Sequence, residues 1–233
     1  MRHKSLKKYN NLTISDIAVD HHIHSNYTHG HAGIREIVEK AKQLRLNEIA
    51  ITEHARRQST YCNEYTEEIK KAAEDYGFKV LVGFESKVID ALGNIDLSDD
   101  CQRKADIIIG SVHSVPLNGR LIRPEVLEPQ VLQEAEHQFG LAIVKSGKCH
   151  ILGHAGGFSL RLHGAFAPKY MEELIWACAK FDTAFEINSR YHADIAGWLM
   201  QQLTEYNPFV SIGSDAHNLS EVGSCLSLFM NNS

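Results

Sequence analysis

The chain has 233 residues, 43% of them hydrophobic and 23% charged, enough for one α/β domain with a sizeable core and too ordinary a composition for a disordered or fibrous protein. A formal net charge of -5 argues against stable nucleic-acid binding, which calls for a basic face. The five cysteines are scattered with no CxxC pair, predicting reduced thiols, and neither an apolar signal core nor a run near the ~18 apolar residues of a membrane span is present, predicting a cytoplasmic protein without a membrane segment.

Residues 1–16 read as an N-terminal tail and 17–233 as a single barrel domain. The first apolar run, 17–22 (IAVDHH), leads into His22 and His24, with His29 close behind. Helical spacing follows in 33–46, where Ile34, Ile37, Val38, Ala41 and Leu44 recur three or four apart. Run 48–52 leads to His54, and 63–76 predicts a helix started at Asn63 and stopped at Gly77. Run 79–84 ends at Glu85, before a polar segment, 86–105, in which Gly93-Asn94 predicts a small hairpin and a short helix follows. Run 106–112 leads to His113, and a helix over 125–147 is expected to be interrupted near Pro129. The remaining runs are 150–154, ending in His154; 183–187, reaching Glu186 and Asn188; and 209–213, preceding Asp215 and His217. Helices are expected over 169–180, 194–205 and 218–229.

These runs lack the polar alternation of half-exposed strands, so they suit a parallel sheet buried on both faces. Each of the seven ends in a side chain able to bind a metal or move a proton. In a closed parallel barrel those ends share one rim, whereas the outer strands of an open sheet lie too far from its crevice to contribute. Convergence of residues so distant in the chain therefore predicts a closed α/β barrel. His22 and His24 fall on one side of an extended strand because side chains alternate with period two. Imidazole combined with carboxylate suits Zn²⁺, Mn²⁺ or Fe²⁺, and Glu85 is placed to bridge two cations that clamp a phosphate.

The order of motifs resembles the polymerase-and-histidinol-phosphatase (PHP) family along nearly the whole chain, from Val19 to about Leu228. V-D-H-H-I-H-S (19–25) is similar to the opening D-x-H-x-H-[ST]. T-H-G (28–30), I-T-E-H (51–54), G-F-E (83–85), S-V-H-S (111–114), G-H-A-G (153–156), E-I-N (186–188) and G-S-D-A-H (213–217) follow in family order. Glu53 stands where an Asp is usual and Ala155 where a Pro is common. The resemblance implies a distorted (β/α)7 TIM-like barrel holding three divalent ions (Zn, Mn or Fe). By position, His22, His24, Glu85 and Asp215 would hold one metal; Glu85, His113 and His154 a second; and His29, His54 and His217 a third. His31 competes with His29 for its place, and His21 is expected to pack or to support a ligand.

The implied reaction is hydrolysis of a small phosphomonoester (histidinol phosphate, a nucleotide or a sugar phosphate) by a metal-bound hydroxide. Glu85, Asp215 and His217 are the catalytic candidates, with Asp215 or a neighbouring histidine returning the proton. Arg161 and Arg190, then Arg56 and Arg57, follow ligand-bearing strand ends and are candidates for the phosphate, which suits arginine's planar fork. Lys87 is expected on the strand's other face or in solvent. Asp20, Glu186 and Asn188 are expected to orient ligands, while His137, His150, His163 and His192 are expected on the surface or in packing. Two rival readings are an amidohydrolase-type C–N hydrolase, which usually bridges its metals with a strand lysine, and an inactive metal-binding regulatory domain.

Overall fold

A computed structural model describes residues 3–117 and 119–230. In chain order its strands are β1 (Lys7–Lys8), β2 (Val19–Ile23), β3 (Glu48–His54), β4 (Val80–Lys87), β5 (Ile107–Ser111), β6 (Val115–Leu117), β7 (Arg120–Ile122), β8 (Ile151–Leu152), β9 (Ala184–Asn188) and β10 (Phe209–Gly213). The helices are α1 (Ile14–Ile17), α2 (Ile34–Gln43), α3 (Cys62–Tyr76), α4 (Asp99–Lys104), α5 (Pro129–Ser146), α6 (Gly157–His163), α7 (Pro168–Phe181), α8 (Ser189–His192), α9 (Ala196–Tyr206) and α10 (Ser227–Met230). Every predicted strand position is occupied by a strand of this set.

The main sheet runs β1-β10-β9-β8-β5-β4-β3-β2. All its pairings are parallel except β1 with β10. Its two flanks meet at one parallel bridge between Ile23 and Ala216, where the His24 N–H donates to the Ala216 carbonyl at 2.8 Å and the Ala216 N–H donates to the His22 carbonyl at 3.3 Å. Seven parallel strands thus curl into a distorted (β/α)7 barrel whose seam closes only at the C-terminal mouth. The pairing of Glu85 with His54 across β4 and β3 shows why register matters: a slip of one residue would turn every ligand-type side chain to the other face.

Two apolar layers hold this arrangement. One lies between the strands and the helices; α2, for example, buries Ile34, Ile37, Val38 and Ala41 as its periodicity predicts. Leu44, counted with that stripe, is instead 37% exposed beyond the last helical turn. The second layer fills the inside of the barrel beneath the mouth with Ala50, Leu81, Ile107, Ile109, Ile151 and Ala184. Leu6 completes it, 3% exposed. The segment expected as a tail therefore helps to floor the barrel: β1 pairs with the N-terminal end of β10 and delivers an apolar side chain that would otherwise face water.

Three further expectations need correction. Cys62 of α3 and Cys101 of α4, expected as thiols, are joined by a disulfide with Cα atoms 5.4 Å apart, while Cys149, Cys178 and Cys225 are free and buried. The helix predicted over 218–229 is replaced by turns, a short 3-10 segment and α10. Its cause is Gly223, whose φ of 74° no helix accepts and whose N–H donates instead to the Asp20 carboxylate at 2.8 Å. The β6–β7 hairpin was not predicted, and the turn at Gly93-Asn94 yields only a single bridge, Val88 to Ile95. Among the described residues no helix is long and apolar enough to cross a membrane.

Candidate metal centre

At the mouth, Glu85 on β4 is the hub. Its Oε1 lies 3.0 Å from His113 Nε2 and 3.0 Å from His154 Nε2, and it accepts a hydrogen bond from the Ser111 hydroxyl at 2.7 Å. Its Oε2 is 2.9 Å from His54 Nδ1, 3.5 Å from His22 Nε2 and 3.6 Å from His24 Nε2. Asp215 Oδ1 approaches His24 Nε2 at 3.1 Å and His22 Nε2 at 3.6 Å. The ring of His217 lies 4.5 Å from that of His24. Among the described residues, three trios have all their ligand-type atoms within 4.8 Å of one another: His22, His24 and Asp215; His54, Glu85 and His113; His24, His54 and His217. The first falls inside the set that the family pattern assigns to one metal. The other two cross its groupings, since His54 joins Glu85 and His113, and His24 joins His54 and His217.

Several buried groups set these side chains in place. Glu186 Oε1 sits 2.6 Å from His22 Nδ1, which fixes the ring so that Nε2 faces the centre. Asp20 accepts a hydrogen bond from the His22 N–H at 3.3 Å through Oδ1. Its carboxylate accepts from the Ser214 N–H at 2.9 Å, the Ser214 hydroxyl at 2.6 Å and the Gly223 N–H, and so ties down the loop carrying Asp215 and His217. Glu53, wholly buried, accepts from the Ser25 N–H and the Thr28 hydroxyl, holding the loop that carries His29. Gly213 is required by close approach: a Cβ there would meet Glu186 Oε1 and His22 Cβ at 2.6 Å each. His154 and Asp215 have positive φ, 22° and 54°, a conformation kept where the surroundings over-determine it, often at functional sites.

Burial disfavours charge here; opposite charges overcome it at His22, Glu85 and Asp215 but not at His24. Burial works against the His22 imidazolium, but Glu186, Glu85 and Asp215 outweigh it and raise its pKa well above the ordinary value. Burial holds His24 down at about 3, with the neighbouring His54 and His22 adding to the effect. For Glu85, burial is overcome by His113, His22 and His54, which keep the carboxyl well below the usual range. Asp215 is likewise held low against its burial by His22 and His24.

The donor set fits divalent cations. Imidazole nitrogens point at one another, His22 Nε2 to His24 Nε2 at 3.1 Å and His113 Nε2 to His154 Nε2 at 3.2 Å, so in each pair one ring must present a lone pair to the other. Glu85 Oε2 faces His54 Nδ1 at 2.9 Å without hydrogen-bond geometry, and His24 Nδ1 is buried without a partner, although buried polar atoms are nearly always satisfied. Oxygen and imidazole donors gathered this closely suit Zn²⁺, Mn²⁺ or Fe²⁺.

The PHP domain family model matches residues 20–190, a span running from the start of the first motif through six of the barrel strands. The chain belongs to the PHP domain family. It is 24% identical over 222 residues to a "Probable phosphatase" of Caldicellulosiruptor bescii, covering 90% of this chain and 83% of that one. It is 24% identical over 217 residues to the DNA polymerase/3'-5' exonuclease PolX of Bacillus subtilis, covering 89% of this chain but 35% of that longer protein. In three dimensions it is similar to a Listeria monocytogenes protein provisionally assigned as a histidinol phosphatase. The TM-score is 0.74 at 16% identity, covering 91% of this chain and 99% of the other.

Around this PHP centre the other predicted residues divide. His29 reaches the mouth, its ring 5.1 Å from that of His54. His31 lies exposed and contributes its backbone N–H to the His217 carbonyl at 2.8 Å. His21 is buried 2.8 Å from Glu48, behind the strand. Arg190 lies 3.0 Å from Glu221 and 3.6 Å from Asp215, and Arg161 stacks 4.8 Å over Phe158 and is 3.9 Å from Glu125. Arg57 is exposed, and its backbone N–H donates to Asp96. Arg56 lines a cavity of about 250 Å³ with His29, His54, Glu85, Lys87, His113 and Ser114. Lys87 thus lines the cavity while remaining 22% exposed. Asn188 accepts from the Arg190 N–H at 3.0 Å and, through its own N–H, donates to His192 Nδ1 at 3.2 Å. His192, expected on the surface or in packing, is fully buried and bonds the Ala155 carbonyl at 3.0 Å, linking the β9 end to the residue after His154.

Proposed function

We propose that this protein is a metal-dependent phosphatase of the PHP family that hydrolyses small phosphomonoesters such as histidinol phosphate, nucleotides or sugar phosphates. The observation that carries this reading is the convergence of His22, His24, His54, His113 and His154 on one carboxylate, Glu85, at the barrel mouth. His29, Asp215 and His217 complete the candidate ligand set around it. The names of the relatives and the open cavity beside the cluster support a small phosphorylated substrate.

Divalent ions held by these residues, up to three by the family pattern, would acidify a water and neutralise phosphoryl charge. The chain's own residues do the rest. Glu186 keeps the His22 ring aimed at the centre, and the carbonyl of Asp215, 2.9 Å from His217 Nδ1, orients that ring so that Nε2 is free. Asp215 is held ionised by His22 and His24, which suits a ligand better than a proton donor. The proton for the leaving alkoxide is therefore better drawn from a rim group that holds no metal.

The test is a screen of the metal-replete protein against p-nitrophenyl phosphate, histidinol phosphate, nucleoside monophosphates and sugar phosphates with Mn²⁺, Zn²⁺ or Fe²⁺. Hydrolysis is expected, lost on chelation and lost in Glu85→Ala with an unchanged circular dichroism spectrum. Turnover of amide or other C–N substrates, with every phosphoester inert, would overturn the reading.

A further inference from the structure

Resting on that phosphatase reading, we infer that the substrate's phosphoryl group is seated on the β3–β4–β5 side of the mouth by Lys87, Arg56 and Ser114. The arginines of the opposite side, which sequence ranks first, do not form this seat.

The inference begins with strand geometry. Side chains two apart on a strand share a face, so Lys87 follows Glu85 to the mouth, and both line the same cavity of about 250 Å³. Lys87 is the last residue of β4 and is 22% exposed, and its ammonium stands 4.0 Å from Asp96, a long pairing that leaves its donors available to an incoming anion. Ser114 follows His113 by one residue. It is 9% exposed, and its buried hydroxyl has no hydrogen-bond partner. A buried hydroxyl without a partner is costly, and Ser114 is one of the residues lining that cavity. Arg56 stands just past His54 at the edge of the cavity, where its planar fork can take two phosphate oxygens.

Of the rival cations, Arg190 is paired with two carboxylates, while Arg161 lies against the far wall of the mouth. Arg190 is held by Glu221 and Asp215. Arg161 lies over the rings of Phe158 and Tyr191, at 4.8 and 5.9 Å. A dianion placed at the Lys87 seat would meet two cations and a donor hydroxyl beside Glu85, His54 and His113. The leaving group would then extend across the mouth toward the Phe158–Tyr191 wall.

The experiment measures KM and kcat for p-nitrophenyl phosphate, together with inorganic phosphate binding to the metal-loaded protein by calorimetry, in wild type, Lys87→Met, Lys87→Arg and Ser114→Ala. Lys87→Met is expected to raise KM and the phosphate Kd together by roughly tenfold, as for the loss of one charge-assisted hydrogen bond. Ser114→Ala should raise both by a smaller factor, and Lys87→Arg should recover most of the loss. Unchanged phosphate affinity in Lys87→Met and Ser114→Ala, with affinity lost in Arg161→Ala or Arg190→Ala, would overturn the assignment. Because the calorimetry does not need turnover, a wild type inert toward every phosphoester would count against the phosphatase reading while the phosphate seat is still judged by its Kd values.

Discussion

On the side of the mouth formed by β2, β9 and β10, the side chains of His22, His24 and Asp215 are 0%, 0% and 6% exposed. On the side formed by β3, β4 and β5, His54 and His113 are 25% and 24% exposed and border the cavity. Glu85 belongs to both. The difference follows from what each half must do. A buried ionisable ring is tolerable only when paired, so the closed half carries its own counter-charges, with Glu186 on His22 and Asp20 pinning the loop behind Asp215. The open half leaves its rings and cations reachable from solvent, as a substrate entrance needs. One half fixes geometry; the other admits the ligand.

That contrast can be broken most forcefully by deleting one histidine from each half in the metal-free protein. His22→Ala leaves the Glu186 carboxylate buried without its partner, and should cost about 3–5 kcal/mol of stability. His54→Ala, in the open half, should cost far less while abolishing turnover equally. Chemical denaturation with a chelator present checks this, and equal losses from the two variants would erase the distinction.

A smaller effect sharpens it. His192 ties the β9 end to the loop of His154 as a neutral ring, and its burial lowers its pKa from 6.5 to about 4. A folded pKa below the ordinary one means that the stabilisation is whole above about 6.5 and is lost as pH falls toward 4. His192→Gln should therefore cost about 1–3 kcal/mol at pH 7, and the gap between variant and wild type should narrow at pH 5. Denaturation of the metal-free proteins at both pH values gives the comparison, and a gap that widens on acidification would contradict it.

Much of the mouth was legible because its logic is local. Each apolar run ended in a ligand-type residue, and a parallel barrel puts all such ends on one rim. The place of Lys87 beside the cavity was legible too, since it lies two residues past Glu85 on the same strand and so shares its face. The partner of Arg190 was hidden for a non-local reason, since Glu221, on the loop after β10, lies 3.0 Å from it, and no spacing near residue 190 announces it. The tail's role was equally hidden, because Leu6 matters only once the barrel leaves an apolar floor to fill. The helix expected over 218–229 gave way to a tertiary bond, Gly223 to Asp20, more than two hundred residues away in the chain. Cys62 and Cys101 meet because α3 and α4 pack together, which their separation of 39 residues does not disclose.

The central claim is that histidines and carboxylates from all the barrel strands surround divalent cations at one rim. Anomalous diffraction from crystals grown with Mn²⁺ tests it most directly. The account predicts strong peaks within coordination distance of Glu85, between His22, His24 and Asp215 on one side and His54 and His113 on the other. A mouth with no anomalous density among these side chains, at a Mn²⁺ concentration that saturates ordinary carboxylate–imidazole sites, would contradict it.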